Sequence, residues 1–255
     1  MAGATAVLTS EWTKVRTVRS TYVTLVLAFV VTVGLGAVIS AVTAAQWKDM
    51  TAQERLNFDP TSTSFSGIFL GQLALLVFGV LVVGNEYSTG MIRVSLAAVP
   101  QRATLLLSKT ATVLCCVLPV ALATAFAAFL LGQALLGDHR TTLGADGVLK
   151  AVFGLALYMT LMSLLSLGVG FMLRKPVLSL GLLMPFFFLI SPILNAVPGV
   201  KKVARYFPDQ AGGQLVTVHH HTAAPYGWGA ALGIVLAWTA ACLVGGYLLL
   251  KRRDA

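Results

Sequence analysis

The chain has 255 residues, of which 57% are hydrophobic and 11% are charged. Soluble domains carry about a quarter charged residues, so this composition excludes an ordinary soluble domain and predicts an integral membrane protein. The formal net charge of +9 does not indicate nucleic-acid binding, because the basic residues collect at the ends of apolar segments, where they face anionic lipid headgroups. We therefore expect membrane lipids, and no nucleic acid, among the partners.

Six apolar segments are long enough to cross a bilayer, which takes about twenty helical residues. They lie near residues 21–43, 66–84, 104–136, 148–173, 177–196 and 226–250. A polar segment precedes the first of them, so we expect this span to be retained rather than cleaved as a signal peptide. The fold class predicted is an all-α integral membrane protein, organised as one transmembrane domain over residues 1–255.

The fifth segment differs from the others because it contains Pro185 and Pro192. Each proline removes a backbone donor, and irregular backbone at membrane depth needs protein or a cavity to satisfy it. A kinked crossing and a broken, partly re-entrant helix both remain open. The proline pattern makes this segment, with Asn195 near its end, a candidate gate.

Orientation follows from the distribution of lysine and arginine among the short connections. With six spans, the side that holds both termini carries eleven basic residues, and the opposite side carries seven. The larger number predicts that both termini are cytosolic and that the chain is a multi-pass protein of the plasma membrane.

The spans hold few groups that could perform chemistry. Their larger polar residues are Gln72, Gln133 and Asn195, with Lys109 near the cytosolic end of the third span. Ion-coupled carriers keep ionisable residues at membrane depth, so coupling within these spans is not expected. The sequence also has no nucleophile, zinc or P-loop motif, and we expect neither a catalytic residue nor a bound cofactor in this chain.

Two further patterns favour structural interpretations. His219, His220 and His221 are consecutive, and adjacent residues in a loop rarely converge on one metal ion, so a solvated loop is favoured over a metal site. The segments "GIFLG" at 67–71 and "GAALG" at 229–233 have the spacing that lets two helix backbones approach closely. Packing within one subunit is favoured, and a dimer seam is the alternative.

The stretch "GNEYSTGMIRVSLAAVPQR" at 84–102 lies between the second and third spans on the predicted cytosolic side. From residue 92 to 99 its apolar residues are spaced to share one helix face, and Pro100 ends that helix. Arg102 and Lys109 are then expected at the headgroup level. A short amphipathic helix between Gly90 and Pro100 suits two roles: docking against a cytosolic protein, or connecting two spans at the headgroups.

This stretch resembles the corresponding loop of type 2 ABC transporter permeases. The resemblance is carried by Glu86, Tyr87, Ser88, Thr89, Gly90, Arg93, Pro100, Arg102 and Lys109. The six-span plan and the amphipathic N-terminal segment are similar to the same family. The resemblance implies that 84–102 forms a coupling helix seated in a separate cytosolic ATPase subunit, which binds the ATP and magnesium. It also implies a second permease chain, as a homodimer or a paired heterodimer.

The N-terminal segment is itself amphipathic. Leu8, Trp12, Val15, Val18 and Tyr22 share one face of a helical wheel, so we expect an interfacial helix along the inner leaflet. Glu11 and Arg19 intrude on that face, and snorkelling to the headgroups is favoured over contact with protein. In the resembled family this helix sits beside the ATPase, which makes both residues candidates for its interface.

These observations lead us to expect the membrane subunit of an ABC exporter that moves a hydrophobic or amphipathic molecule outward by alternating access. The cargo classes that fit are drugs, antibiotics, lipids and peptides. Two alternatives remain: an ion- or proton-coupled carrier or channel, and a membrane scaffold that does not transport. The first predicts transport driven by a proton gradient alone, and the second predicts a cytosolic partner other than an ATPase.

Overall fold

The computed structural model describes residues 4–99, 101–218 and 225–252, and the side chains of Ala4–Ala6 and Arg16 are outside this description. The elements found there are helices and turns without any β-strand. In chain order the α-helices are α1 (Ala4–Thr17), α2 (Arg19–Ala45), α3 (Ala52–Leu56), α4 (Pro60–Phe65), α5 (Ile68–Ser88), α6 (Met91–Ala98), α7 (Arg102–Leu136), α8 (Val148–Leu173), α9 (Pro176–Pro185), α10 (Ser191–Ala196), α11 (Lys201–Ala204), α12 (Pro208–Leu215) and α13 (Trp228–Arg252).

Six helical runs in the described residues are long and apolar enough to span a membrane, in agreement with the sequence prediction. They are Arg19–Ala45, Ile68–Ser88, Arg102–His139, Val148–Leu173, Pro176–Ala196 and Trp228–Arg252. The fourth lies at the centre of the bundle, since 89% of its apolar window is buried. The fifth and sixth have only 22% and 17% of theirs buried and lie at the edge.

The fifth run is one helical segment with a local irregularity. Between α9 and α10, residues Phe186–Ile190 form a single π-helical turn. Because Pro192 has no N–H to donate, the regular α-helical bonding pattern is interrupted, and a widened turn accommodates the change. Of the two possibilities left open by the sequence, the described backbone follows the kinked helix.

The first two spans pack together through glycines. A methyl group added at Gly67 would lie 2.1 Å from the backbone oxygen of Thr32, and one at Gly36 would lie 2.3 Å from that of Ser64. Only hydrogen in place of a side chain lets α2 and α5 approach this closely. The "GIFLG" segment therefore packs within the subunit, as predicted. The added methyl groups at Gly229 and Gly233 meet no described atom within 4 Å.

The N-terminal segment is not one continuous amphipathic helix. α1 ends at Thr17, and Val18 is extended, with φ −83° and ψ 112°. The wheel drawn from Leu8 through Tyr22 is therefore wrong, because Val18 changes the direction of the chain. α1 turns Val7 and Glu11 inward, while Trp12 is 46% exposed. Its position relative to a membrane surface remains a prediction.

The connection after the fifth run also contains an unexpected helix. In this connection between the fifth and sixth spans, α12 packs against α8 and α13, with Ala211 and Leu215 fully buried. A methyl group at Gly212 would lie 2.1 Å from the ring of Tyr158, so glycine is what allows α12 to seat against α8. His219, His220 and His221 lie outside the described residues.

Candidate functional site at the junction of four helices

Four helices, α1, α5, α6 and α7, meet at the end of the bundle where α13 also ends. α5 runs one turn beyond the apolar span and carries Glu86 on its buried face, and Gly90 then turns the chain with a left-handed φ of 72°. That conformation costs glycine little, so the chain can reverse directly into α6. The helix predicted from the sequence between Gly90 and Pro100 is present as α6, while Pro100 itself lies outside the described residues.

Two lysines and two glutamates form a ring at this junction, which we call the charge ring: Glu11, Lys14, Glu86 and Lys109. Lys109 Nζ lies 2.6 Å from Glu11 Oε2 and 2.7 Å from Glu86 Oε1. Lys14 Nζ lies 2.7 Å from Glu11 Oε1 and 2.8 Å from Glu86 Oε1. Each lysine therefore bridges both carboxylates, and the four charges sum to zero.

The charge ring connects α1, α5 and α7, and it also reaches α6. Lys14 Nζ donates a hydrogen bond to Ser95 Oγ on α6 at 3.2 Å. Because Lys109 is 1% exposed, it is held by its two carboxylates rather than by water. Removing one partner from such a buried arrangement leaves an uncompensated charge, which is costly.

These positions correct two sequence interpretations and show that a third candidate residue, Glu86, is buried. Glu11 does not snorkel but binds Lys109 and Lys14, because α1 turns this residue into the bundle. Lys109 does not lie at the headgroup level, since its ammonium is enclosed by α1, α5 and α7. Glu86 is 6% exposed. In this conformation these residues bind one another, and whether they also contact a partner protein remains a prediction.

Ion pairing also determines the protonation behaviour of two ring members. Burial raises the pKa of Glu11, but the charge of Lys109 and the hydrogen bonds from both lysines outweigh it and leave that pKa below its ordinary value. For Lys14, burial lowers the pKa, and the hydrogen bonds and charges of Glu11 and Glu86 outweigh it, so the pKa is raised. Both groups are held in their charged forms.

The contribution of these two groups to stability should consequently decline at acid pH and at strongly alkaline pH. The lowered pKa of Glu11 contributes stability that is present above its unfolded pKa and lost as the pH falls through the folded pKa. The raised pKa of Lys14 contributes stability that is lost as the pH rises through the folded pKa. Thermal unfolding in detergent between acid and neutral pH should show a shallower acid decline for Glu11→Gln than for wild type. Asp138→Asn, which removes an exposed carboxylate, is the control, and equal slopes in all three proteins would contradict the assignment.

Arg102 has a structural contact different from the predicted headgroup position. Its guanidinium donates to the carbonyl oxygens of Leu250 and Lys251, at the C-terminal end of α13. Arg174 donates to the neighbouring carbonyl of Leu249 at 3.3 Å. The last carbonyls of a helix have no partner within it and carry partial negative charge, so two arginines stabilise this end. Arg102 thereby fastens the start of α7 to the end of α13.

α6 presents an exposed surface next to the charge ring. Val94 is 69% exposed and Met91 is 48% exposed, with Arg93 also exposed, whereas Ile92 is buried. Arg19, at the start of α2, is exposed as well. Of the predicted interface residues that are described, Gly90, Arg93 and Arg19 are exposed and thus accessible to a partner. Whether they contact one remains a prediction.

A second polar cluster lies at the opposite end of the bundle. Ser191 Oγ donates to Asp209 Oδ2 at 2.6 Å, and Asn195 Nδ2 donates to Gln210 Oε1 at 2.9 Å. These bonds join the fifth run to α12. Pro192 lines a cavity beside them, while Pro185 is exposed on the outside of the helix. The predicted gate residues Pro192 and Asn195 are thus near one another, whereas Pro185 is one helix turn or more away.

Sequence reasoning missed Lys14, Ser95, Asp209 and Gln210. A signal existed for Lys14, because it follows Glu11 by three residues and so shares its helix face. Asp209 is the single carboxylate between residues 197 and 225, and a lone acid in an otherwise basic connection was a usable signal as well. Ser95 had none, since its role depends on a residue 81 positions earlier.

Comparison with known proteins adds a family assignment to this geometry. A search of curated proteins returned no match. The family profile described as "ABC-2 family transporter protein" matches residues 7–191, which include the charge ring, α6, four of the six candidate spans in full and most of the fifth. The match covers most of the chain. The chain belongs to the ABC-2 family of transporter proteins and is a membrane component of an ABC transporter.

Proposed function

We propose that this chain is the permease subunit of an exporter in which a separate cytosolic ATPase drives outward movement of a hydrophobic or amphipathic molecule by alternating access. ATP and magnesium are bound by the ATPase subunit, and this chain contributes no catalytic residue. Two permease chains, identical or paired, assemble in the plasma membrane with all termini in the cytosol. The family and the apolar, six-span bundle support this function.

The exposed surface of α6 is the observation that carries the proposal. A short helix beyond the ends of the spans that exposes Val94 and Met91 beside Arg93 has the mixture of apolar and cationic groups found in protein interfaces. Methionine and arginine are both enriched there. The surface lies next to the charge ring. The hydrogen bond between Lys14 and Ser95 of α6 therefore connects a partner bound to α6 with the ring residues of α1, α5 and α7.

The charge ring gives a physical route from that surface into the spans. Movement of α6 acts on Lys14 through Ser95, and Lys14 shares both carboxylates with Lys109 on α7. A cleft of about 410 Å³ borders the ring and is lined by α1, the start of α2 and the end of α5. That space allows the helices to shift relative to one another without first displacing packed side chains.

The polar cluster at the other end is the proposed outer gate. Ser191, Asn195, Asp209 and Gln210 tie the fifth run to α12, and the π-helical turn before Pro192 supplies a position where the run can bend. Breaking these hydrogen bonds would free α12 to move from the mouth of the bundle. Pro185, on the exposed side, contributes to the bend rather than to the cluster.

Docking through α6 predicts a specific loss of partner binding. Val94→Glu places a charge at the centre of the proposed apolar contact, which should cost about 1–2 kcal/mol of association, or roughly a tenfold loss of affinity. The full chain is purified in detergent with its bound cytosolic ATPase, and the amount of ATPase and its MgATP hydrolysis are measured. Val94→Glu should retain far less of both.

Leu56→Glu is the matched control, because Leu56 is 72% exposed and lies on α3, at the opposite end of the bundle. It should retain the ATPase at the wild-type level. If Val94→Glu retains as much ATPase as Leu56→Glu, α6 is not the docking surface. If the wild-type chain retains a different cytosolic protein and no ATPase, the proposed function fails.

A further inference from the structure

A cavity of about 170 Å³ lies between α5, α8, the fifth run and α12, next to the proposed outer gate. Phe69 and Gln72 of α5, Tyr158 of α8, Phe187 and Pro192 of the fifth run, and Asp209 of α12 line it. The walls are therefore mainly aromatic and aliphatic, with a carboxylate at one side. Ligand sites typically combine an apolar wall with a few placed polar groups in this way.

The carboxylate of Asp209 lacks a cationic partner within the described part of the chain. Its Oδ2 accepts hydrogen bonds from Ser191 at 2.6 Å and from Gln210 at 2.7 Å. Its Oδ1 is buried and has no hydrogen-bond partner among the described residues. The ion pairs of the charge ring lie at the other end of the bundle and do not involve Asp209.

Among the described residues, the titratable groups that interact electrostatically with this carboxylate are tyrosines, which add no positive charge. They are Tyr158 of α8, which lines the same cavity, and Tyr226 before α13. Tyr158 uses its hydroxyl to donate to Gln72 at 2.6 Å, and Tyr226 uses its own to donate to the carbonyl of Arg205. Neither phenol therefore donates a hydrogen bond to Asp209.

An anion beside aromatic rings is the arrangement that recognises ammonium groups. The rings present a negative face to a cation, and desolvated cation–π contacts are worth about 2 kcal/mol. A carboxylate adds charge attraction that is less screened in a buried site than in water. A neutral apolar molecule of the same shape would gain the apolar contacts but neither electrostatic contribution.

We propose that this cavity binds the ammonium group of a lipophilic amine or quaternary ammonium compound, with Asp209 as the counter-ion and the rings of Phe69, Tyr158 and Phe187 around the cation. As a cargo subsite, this assignment rests on the proposed export function. It narrows the cargo from hydrophobic or amphipathic molecules to those that carry a positive charge.

The proton should compete with the bound cation. Burial raises the pKa of Asp209, and the hydrogen bonds from Ser191 and Gln210 oppose that rise only in part. An ammonium group favours the ionised carboxylate, so binding lowers this pKa, and protonation in turn weakens binding. Cation affinity should therefore fall as the pH is lowered through the pKa of Asp209.

The test is equilibrium binding of radiolabelled benzyltrimethylammonium to the full chain in lipid nanodiscs, without ATPase or nucleotide. Neopentylbenzene, in which carbon replaces the nitrogen, is the neutral competitor of the same shape. Saturable binding is expected, with neopentylbenzene competing at least tenfold less well and affinity falling at acid pH. Asp209→Asn should lower affinity at least tenfold, and Asp138→Asn, which removes an exposed carboxylate elsewhere, should leave it unchanged.

Three results would overturn the inference: no saturable cation binding, equal competition by the neutral isostere, or wild-type affinity in a folded Asp209→Asn protein. The competition and pH measurements use the wild-type chain, so they decide the question even if Asp209→Asn does not fold. Because the assay contains no ATPase, a negative result leaves the α6 docking experiment unaffected. Conversely, the chain could bind the cation saturably in this assay and retain no ATPase in the docking experiment. That result would support the binding site but remove its role in export.

Discussion

Replacing Lys109 with methionine is expected to be among the most destabilising single changes in this chain. Lys109 is 1% exposed and binds Glu11 and Glu86, so Lys109→Met leaves two carboxylates without their buried partner. Breaking a buried ion pair in this way costs about 3–5 kcal/mol. The unfolding temperature and the yield of monodisperse protein in detergent should both fall sharply.

The corresponding change at Lys14 is the matched control. The side chain of Lys14 is 30% exposed, so water compensates part of the lost interaction and Lys14→Met should fold. Adding Glu11→Gln and Glu86→Gln to Lys109→Met should recover much of the lost stability, because those changes remove the unpaired charges. If Lys109→Met is as stable as Lys14→Met, the buried charge ring is not what holds these helices together.

Gly67→Ala is expected to have the second large effect. The added methyl group would lie 2.1 Å from the Thr32 carbonyl oxygen and 2.8 Å from the Gly36 nitrogen. Both atoms belong to the backbone of α2, which cannot move aside as a flexible side chain would. Overpacking of this kind costs about 1–3 kcal/mol and should lower the unfolding temperature by separating α2 from α5.

Gly233→Ala is the comparison, because the same methyl group meets no described atom within 4 Å there. Its expected effect on stability of the single chain is none, or a small gain from helix propensity. The two substitutions thus distinguish the two glycine motifs that look alike in the sequence. Equal destabilisation by both would mean that the α13 motif is also packed against protein, as in a dimer seam.

The spans were predictable from sequence because each is a local property of the chain. Apolar length predicted all six segments, and the amphipathic run between Gly90 and Pro100 predicted α6. The same reasoning assigned Glu11 to the headgroups, because its neighbours on the helical wheel are apolar. Its true partner, Lys109, is 98 positions away, and no local periodicity contains that information.

α12 was missed for a different reason. Its sequence PDQAGGQL has two glycines, which lower helix propensity. Packing reverses that preference, since Gly212 admits close contact with Tyr158, and Ala211 and Leu215 are fully buried. The carboxylate of Asp209 could not be placed before this helix was known, and neither could the cavity beside it.

The charge ring and the outer polar cluster lie at opposite ends of one bundle, and α8 at its centre contacts elements from both. A signal from α6 must therefore cross tightly packed helices, in which small displacements are transmitted rather than absorbed. Lys14 connects α6 to the charge ring, because it is the ring member that donates a hydrogen bond to Ser95 of α6. Its partial exposure makes it removable without loss of the fold.

The most direct measurement of this coupling follows the outer end while Lys14 is changed. A single cysteine replaces Val197, which is 43% exposed, in a chain whose Cys115, Cys116 and Cys242 are replaced by alanine. Maleimide labelling of the assembled complex is timed with and without MgATP and vanadate. With Lys14 present, the labelling rate should change with nucleotide. With Lys14→Met, the ATPase should stay bound and hydrolyse ATP while the labelling rate stays constant. A full nucleotide-dependent change in the Lys14→Met complex would contradict transmission through the charge ring.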